Sequence, residues 1–436
     1  MYFTTYAGAT AYLFARLPMY QQVGNIAYKA SLATPEALDR YFEHPHRAFR
    51  SIHVAGTNGK GSVAHMLAAA LQQAGLRVGL YTSPHLKDFR ERIRINGQCI
   101  TEAAVLDFVN RYRQRLEEEQ ASFFEMTTAM AFDYFAQQRV NVAVIETGMG
   151  GRLDATNIIR PVLSIITNIA FDHTEHLGDS PALIAREKAG IIKPQTPVII
   201  GEYSADTAPV FAAIAHEQQA PLRYADRHVH VTPVGHDGAS GQTFRCSFAG
   251  APETALTLTL DLCGDYQQAN LRTVLTAIDC LRHAIVPPIR IPDESILSAL
   301  KQTVRLTGLQ GRWQILAHAP LTVCDTGHNA HGLNCVFRQL AGMNRPLHIV
   351  FGVMADKDLG RIIPLMPRHA RYYFTQAATA RALDATRLTA QCLAAGLQGE
   401  PFPHVGEALA AAREQARNDE IIYIGGSNFV VAEALF

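Results

Sequence analysis

Charge of one sign is what this sequence lacks most plainly: 39 Lys and Arg stand against 39 Asp and Glu, for a formal net charge of zero. A general binder of polyanions needs a basic excess, so a nucleic-acid role and an acidic-membrane role are both excluded on that ground. Cysteine is sparse as well. Its seven positions (99, 246, 263, 280, 324, 335 and 392) are scattered and include no C-x-x-C. That argues against a disulfide framework and a thiolate metal site, and fits free thiols in a reducing, cytoplasmic setting. No apolar run approaches the about 18 residues of a membrane-crossing helix, and the apolar opening segment lacks the Lys or Arg start of a signal peptide. Low-complexity segments and internal repeats are also missing.

What is present is a globular composition, 48% hydrophobic and 18% charged, over 436 residues. That length exceeds one ordinary core and predicts about two or three domains. Short β-branched runs alternate with helical patterns, the signature of parallel α/β layering. Strands are expected at 51–55, 77–81, 141–146, 162–166 and 197–200, with amphipathic helices over 63–74 and 126–138. The run Glu91-Arg-Ile-Arg-Ile-Asn-Gly97 alternates with period two and ends in the dipeptide favoured in a type I′ hairpin turn. Residues 222–262 read as a β excursion at the edge of the first domain. A second βαβ rhythm follows the Pro-rich stretch 286–292, with strands at 321–325, 347–353, 371–374 and 421–425. The expectation is two α/β domains, 1–299 and 300–436, with a site between them.

The sharpest local signal is His53-Val-Ala-Gly56-Thr57-Asn58-Gly59-Lys60-Gly61-Ser62, set between a strand and a helix. Glycines let the backbone wrap an anion with N–H groups and the following helix N-terminus, and a lysine adds charge for outer phosphates. The spacing departs from the standard phosphate loop, and the plain alternative is a Gly-rich turn with a surface lysine. Glu146 ends an apolar strand, where a Mg²⁺ ligand belongs beside such a loop. His173, in Asp172-His173-Thr174, is open to three readings: metal ligand, phosphate partner or structural histidine. Lys188 reads by default as a solvated or salt-bridged helix residue. The run Arg90-Glu-Arg92-Ile-Arg94 reads as the solvated face of a hairpin, with Arg90 or Arg92 able to meet an anionic substrate. Gly311-Arg312, Asp325-Thr-Gly-His328-Asn329 and Gly425-Gly-Ser427 are polar loops of the second unit that suit small anions.

These segments, with Tyr81-Thr-Ser83-Pro-His-Leu86, Gly148-Met-Gly-Gly-Arg-Leu-Asp-Ala-Thr-Asn157 and Glu187-Lys188-Ala-Gly-Ile-Ile192, occur in one order across most of the chain. Together they resemble the folylpolyglutamate synthase and dihydrofolate synthase family of the Mur ligase superfamily. The resemblance implies a P-loop ATPase domain with a parallel sheet plus a smaller C-terminal Rossmann-like α/β domain, using ATP and Mg²⁺. Asn58, Gly59, Lys60, Gly61, Ser62, Asn270, Arg312 and Asp325 would then bind ATP, and Ser83, Glu146 and His173 would hold the metal. Lys188 matches a lysine carbamylated in related enzymes, where it helps hold a second metal. Lys60, Glu146, His173 and Lys188 thus form the implied catalytic set. Ser122, Phe123, Phe124, Glu125, Leu153, Asp154 and Ala155 resemble the pterin-side contacts, and His328 and Ser427 sit where glutamate is expected. Gly327 and Ala330 replace the family's usual Ala and Pro, and Tyr266 stands where His is frequent.

The implied reaction transfers the γ-phosphoryl group of ATP to a substrate carboxylate, after which the amine of L-glutamate displaces phosphate. The acceptor would be dihydropteroate, a reduced folate, or both, and one chain suffices to build the site, so a monomer is expected. A muramyl-peptide ligase shares this chemistry, but the Ser83-Pro-His-Leu and Phe123-Phe-Glu segments favour the folate branch. A non-catalytic nucleotide switch would leave the Glu187-Lys-Ala-Gly segment unexplained.

Overall fold

A computed structural model of the chain describes residues 2–17, 29, 31–236 and 241–435. It divides into two compact units. The first comprises Met1–Gly235, Thr243–Asp261 and Gln268–Gly308, and the second His236–Gln242, Leu262–Gln267 and Leu309–Phe436.

The first unit is built on eight strands: β1 (Arg50–Ala55), β2 (Val78–Tyr81), β3 (Ile93–Ile95), β4 (Gln98–Cys99), β5 (Val142–Glu146), β6 (Leu163–Ile166), β7 (Val198–Ile200) and β8 (Leu222–Tyr224). Their order is β4-β3-β2-β5-β1-β6-β7-β8. The pairs from β2 through β8 are parallel, while β3 and β4 join antiparallel. Central strands β5 and β6 are buried at every residue, which explains why they are apolar except for Ser164 and the terminal Glu146: a parallel sheet covered on both faces has no polar side to show. Tyr81, Ala143 and Ile145 pack with Phe108, Phe123, Phe132 and Phe135 in one core. Ala55, Ile166, Val198 and Ile200 pack with Ala185, Ile191 and Phe211 in another. The β3–β4 hairpin turns through Asn96 and Gly97, both at positive φ (46° and 78°), as the Asn-Gly pair required.

The helix Lys60–Gln73 is buried at every position from Gly61 to Leu71, the pattern of a helix enclosed on all sides. The helices Asp293–Leu300 and Thr303–Thr307 pack on it. The His65 Nδ1 and Thr307 Oγ1 atoms lie 2.8 Å apart in a buried hydrogen bond. For this reason residues 300–308, expected with the second unit, belong to the first. The 222–262 excursion is resolved as a three-stranded sheet, β9 (Val229–His236), β10 (Gln242–Phe248) and β11 (Ala251–Leu260), in the order β11-β10-β9. Its first piece is instead β8 of the main sheet.

The second unit holds β12 (Gln314–His318), β13 (Leu321–Asp325), β14 (Leu347–Phe351), β15 (Arg371–Thr375), β16 (Gln398–Phe402) and β17 (Ile421–Gly425), ordered β12-β13-β17-β14-β15-β16. Only β12 is antiparallel to its neighbour. Successive residues fall into opposite cores, as a pleated strand demands. Val323, Ile349, Tyr372 and Tyr423 pack with Leu333 and Phe337 of the helix Ala330–Gly342. Cys324, Val350, Tyr373 and Ile424 pack with Val405 and Leu409 of the helix Val405–Gln415. Among the described residues no helix is long and apolar enough to cross a membrane.

Gly75 and Gly97 separate backbone strain from collision. Both have positive φ (85° and 78°), but an added Cβ at Gly75 meets nothing within 4 Å, whereas at Gly97 it lies 2.0 Å from the Leu306 carbonyl oxygen. Gly75→Ala should cost about 1 kcal/mol, the left-handed penalty alone. Gly97→Ala should cost about 3 kcal/mol or more, measured by urea unfolding.

Candidate active site

The strand order reverses at β1, and in open parallel sheets the crevice beyond the carboxyl ends at such a reversal receives ligands. The Gly-rich loop leaves β1 there. Gly56 has φ 143° and Gly59 has φ 83°. A Cβ at Gly56 would stand 1.9 Å from Thr167 Oγ1, and one at Gly59 2.2 Å from Asn270 Oδ1, so neither place admits a side chain. The loop is fastened to the segment after β6. The Thr57 N–H donates to the Asn168 carbonyl (2.9 Å), the Asn58 N–H to Asn168 Oδ1 (2.9 Å), and the Thr167 hydroxyl to the Asn58 carbonyl (2.5 Å). The helix that starts at Lys60 has Gly59 at its N-cap, which brings no side chain to cap it. Its N-terminus therefore offers backbone N–H groups and the positive dipole end to an anion.

Two lysines meet at this loop. Lys60 Nζ donates to the carbonyls of Gly56 (3.0 Å) and Thr57 (3.1 Å), and Lys188 Nζ donates to the same Gly56 carbonyl (2.8 Å). The solvated reading of Lys188 is overturned: it is 3% exposed, because its helix Pro181–Ala189 lies against the 151–157 loop. Gly151 and Gly190 permit that approach, since a Cβ on either would come within 2.9 Å of the facing backbone. Asn157 Nδ2 ties the two segments by donating to the carbonyls of Arg152 and Gly190, each at 3.0 Å. Burial, helped by the charge of Lys60, pushes the Lys188 amine down to about 7, against the opposing pull of Asp172 and Asp154.

Glu146 ends β5 at 3% exposure, and its Oε2 accepts the Ser83 N–H at 3.2 Å, so two of the three expected metal ligands are adjacent. His173 sits at φ 50° at the head of the short helix Thr174–Leu177, its N–H donating to Asp172 Oδ1 (3.1 Å). Among the described residues no three of His, Cys, Asp and Glu converge on a metal-sized space. The expected set contributes two of those types and a hydroxyl.

Arg92 is a second residue whose environment differs from the solvated one expected. It is 4% exposed, not on a solvated face. Its Nε donates to His85 Nδ1 (2.8 Å), its guanidinium lies 5.4 Å from the Phe123 ring centre, and its carbonyl accepts the Thr82 N–H (3.0 Å). It thus braces the 82–85 segment that carries Ser83. The alternation argument failed because β3 begins only at Ile93; Arg92 closes the tight turn Phe89–Arg92, where period two does not hold. Arg90 is half-buried and pairs with Asp88 (2.5 Å) and Glu102 (3.1 Å).

The expected pterin-side residues divide by environment. Ser122 and Glu125 cap the helix Phe123–Gln137 reciprocally: Ser122 Oγ accepts the Glu125 N–H (3.3 Å) and Glu125 Oε2 accepts the Ser122 N–H (2.7 Å). Phe123 is core, at 1% exposure, while Phe124 is half-buried with its ring over Gly148, 2.5 Å from where a Cβ would stand. Asp154 accepts four bonds from its own loop: Gly148 N–H (2.8 Å), Met149 N–H (2.9 Å), Thr156 N–H (3.0 Å) and Thr156 Oγ1 (2.5 Å). Burial still raises its carboxyl above the usual range. Leu153 is half-buried and Ala155 buried beside it.

In the second unit, Arg312 donates to the Gly311 carbonyl (3.2 Å) and to the Thr326 hydroxyl. Asp325 is buried at the end of β13, its Oδ1 accepting the Gly327 N–H (2.8 Å). His328 Nδ1 lies 3.0 Å from the Thr326 carbonyl. Ser427 Oγ accepts the Val430 N–H (3.1 Å) at the head of the last helix, Asn428–Leu435.

The Mur ligase middle-domain model matches residues 54–278, and the glutamate ligase domain model of Mur ligases matches 311–428. Folylpolyglutamate synthase of Lacticaseibacillus casei is 37% identical over 324 residues, 72% of this chain and 73% of that protein. A probable bifunctional folylpolyglutamate synthase/dihydropteroate synthase of Haloferax volcanii is 34% identical over 92% of this chain, which spans 48% of that longer relative. The bifunctional folylpolyglutamate synthase/dihydrofolate synthase structure with Mn, AMPPNP and L-glutamate bound superposes with a TM-score of 0.81, at 28% identity, over 99% of this chain and 97% of that one.

The buried lysine carries a pH signature. Between about 7 and the ordinary 10.5 the unfolded chain holds a proton at Lys188 that the folded chain lacks, so folding gains stability as pH rises through that window. Lys188→Met should abolish this slope. Urea unfolding of both proteins at pH values from about 6 to 10 should show the variant's advantage greatest at or below neutrality and shrinking upward.

Proposed function

Because the chain belongs to the folylpolyglutamate synthase/dihydrofolate synthase family of Mur ligases, we propose that it is an ATP-dependent ligase joining L-glutamate to a folate-type carboxylate. The observation that carries this reading is the loop at residues 56–62, with an uncapped helix N-terminus, Asn270 against Gly59, and two lysines on one carbonyl. That gathers the Lys60 ammonium and backbone N–H donors in an arrangement suited to a triphosphate.

The chemistry follows from charge. A carboxylate and a triphosphate repel, so Lys60 and the helix N-terminus must offset the charge on the γ-phosphoryl group as it passes to the carboxylate oxygen with loss of ADP. The resulting acyl phosphate is attacked by the glutamate amine, which yields the amide, phosphate and a proton. Lys60 is suited to leave its present acceptors, since both are main-chain carbonyls of its own loop. A divalent cation fits the hard oxygens of Glu146 and Ser83 together with His173, and would supply further charge neutralisation there. Lys188 is buried with its amine neutral for much of the time near neutrality, the form that adds CO₂ to give a carbamate, in keeping with the lysine it matches in related enzymes. Phe124 over Gly148 is the aromatic surface assigned to the pterin, with Leu153 and Ala155 nearby. Ser122, Glu125 and Asp154 hold the backbones of that wall. In the second unit, Arg312 and Asp325 are assigned to the nucleotide and His328 and Ser427 to glutamate. All these residues lie in one chain, and a monomer is the working state.

The test is ADP release with Mg-ATP and L-glutamate, dihydropteroate and tetrahydrofolate being added in separate reactions and product masses checked. Glutamate-dependent release with either pterin is expected, and release indifferent to both would return the muramyl-peptide and switch readings. Lys60→Ala should lower kcat/KM by about a hundredfold or more with the melting temperature little changed.

Gly148→Ala should raise the KM for the pterin substrate several-fold, leaving that for ATP near wild type. A Cβ at this position cannot coexist with the Phe124 ring where it now lies.

A further inference from the structure

Asp325 is held by a residue that no neighbouring motif contains. Its Oδ2 accepts the Tyr266 phenol at 2.5 Å and the Trp313 N–H at 2.7 Å, while among the described residues Oδ1 accepts only the Gly327 N–H at 2.8 Å. Tyr266 lies 59 positions earlier, in the segment Leu262–Gln267 that the chain contributes to the second unit. That segment is fastened on several sides. Gln242 Nε2 donates to the carbonyls of Leu262 and Gly264 (3.0 Å each), Gln339 Nε2 to the Cys263 carbonyl (2.9 Å), and the Asp265 N–H to Gln339 Oε1 (2.8 Å). The Tyr266 ring lies over Gly264, where a Cβ would stand 2.6 Å from it. The phenol is therefore delivered to the carboxylate by a rigid support, the arrangement expected of a group that orients another.

We propose that Tyr266 is a positioning residue of the ligase reaction: with Trp313 it engages Asp325 Oδ2, fixing the carboxylate plane and leaving Oδ1 as the oxygen with acceptor capacity for the nucleotide. This rests on the assignment of Asp325 to the nucleotide made above. Burial drives the Tyr266 phenol well above its ordinary range, so it keeps its proton and donates. The bond in turn favours the ionised carboxylate against the burial that raises it, as does Arg312. Tyr423 and Cys324 are the other titratable groups facing Asp325, and both are driven upward by burial and stay neutral.

The experiment uses the full chain. Affinity for Mg-AMPPNP is measured by calorimetry without any pterin, alongside the KM for ATP and the pH profile of kcat/KM for ATP. Tyr266→Phe, which removes one oxygen, should weaken nucleotide binding about tenfold. It should also move the acid limb of the profile to higher pH, because the carboxylate loses a donor to its charged form. On an Asp325→Asn background the same change should have no further effect. Tyr423→Phe serves as the control: its hydroxyl reaches only the Asp325 main-chain oxygen, at 3.5 Å, and affinity should hold. A Tyr266→Phe affinity within twofold of wild type across pH, additive losses in the double variant, or an equal loss in Tyr423→Phe would overturn the proposal. If Asp325→Asn leaves affinity unchanged, the nucleotide assignment of Asp325 falls and Tyr266 with it. If nucleotide binds as expected but no folate-dependent ADP release occurs, the substrate reading fails while the Tyr266 result stands.

Discussion

One main-chain oxygen, that of Gly56, accepts from the side-chain nitrogens of two lysines, and much of the first unit is arranged to keep both there. Like charges converging on a neutral acceptor are stable only if something lowers one charge or supplies a counter-charge. Here burial lowers the proton affinity of Lys188, while Asp172 and Asp154 offset the remainder. The helix of Lys188 stays in register because Gly151 and Gly190 let it touch the 151–157 loop, and because Asn157 bonds both sides. The loop of Lys60 is held by Thr57, Asn58 and Thr167, which hand its backbone to the next strand's exit. A polyanion entering this place replaces the weak carbonyl acceptors with strong ones and meets donors already in position, so little reorganisation is needed.

Carboxylates elsewhere, half-buried Glu91 and buried Asp154, are used to build loops. Glu91 accepts the N–H groups of Leu86, Lys87 and Asp88 at 2.9, 3.0 and 2.8 Å, shaping the turn behind Ser83. Asp154 does the same for Gly148 and Met149. Each substitutes backbone donors for water, which is what makes a buried charge tolerable and an irregular loop rigid. The segments that bear the assigned ligand contacts are therefore preorganised by acids that need touch no ligand.

This division explains what was legible in the sequence. The strands β1, β2, β5, β6 and β7 were, because burial on both faces leaves short, largely apolar runs rich in β-branched residues. The Gly-rich turn after β1 was, because Gly56 and Gly59 are dictated by collisions a Cβ would cause. The strand Gln398–Phe402 was not, since an edge strand that is half exposed and contains Pro401 carries no apolar signal. Arg92 escaped because the turn before β3 shifts the phase of the alternation. The Tyr266–Asp325 bond escaped because a contact across 59 positions leaves no local pattern. Ser122-Phe-Phe-Glu125 has the spacing of a capping box, a signal the sequence reading passed over, and the geometry bears that role directly.

Where a side chain had to come close to the working loops, the fold removed another one. Gly59 lacks a Cβ and Asn270, more than two hundred positions later, occupies the space; Gly148 lacks one and the Phe124 ring covers it. In both places the approaching group is one the ligase reading needs, an amide beside the phosphate loop and an aromatic face beside the pterin wall. Strain alone does not account for these glycines, because Gly148 is not at a positive φ. Close approach does. The distinction matters for the proposed mechanism: a residue such as Asp154, whose oxygens are taken by its own loop, would act by holding that loop in place. Lys60 donates to main-chain carbonyls that a phosphate would outcompete, and on the ligase reading it would act by changing partners.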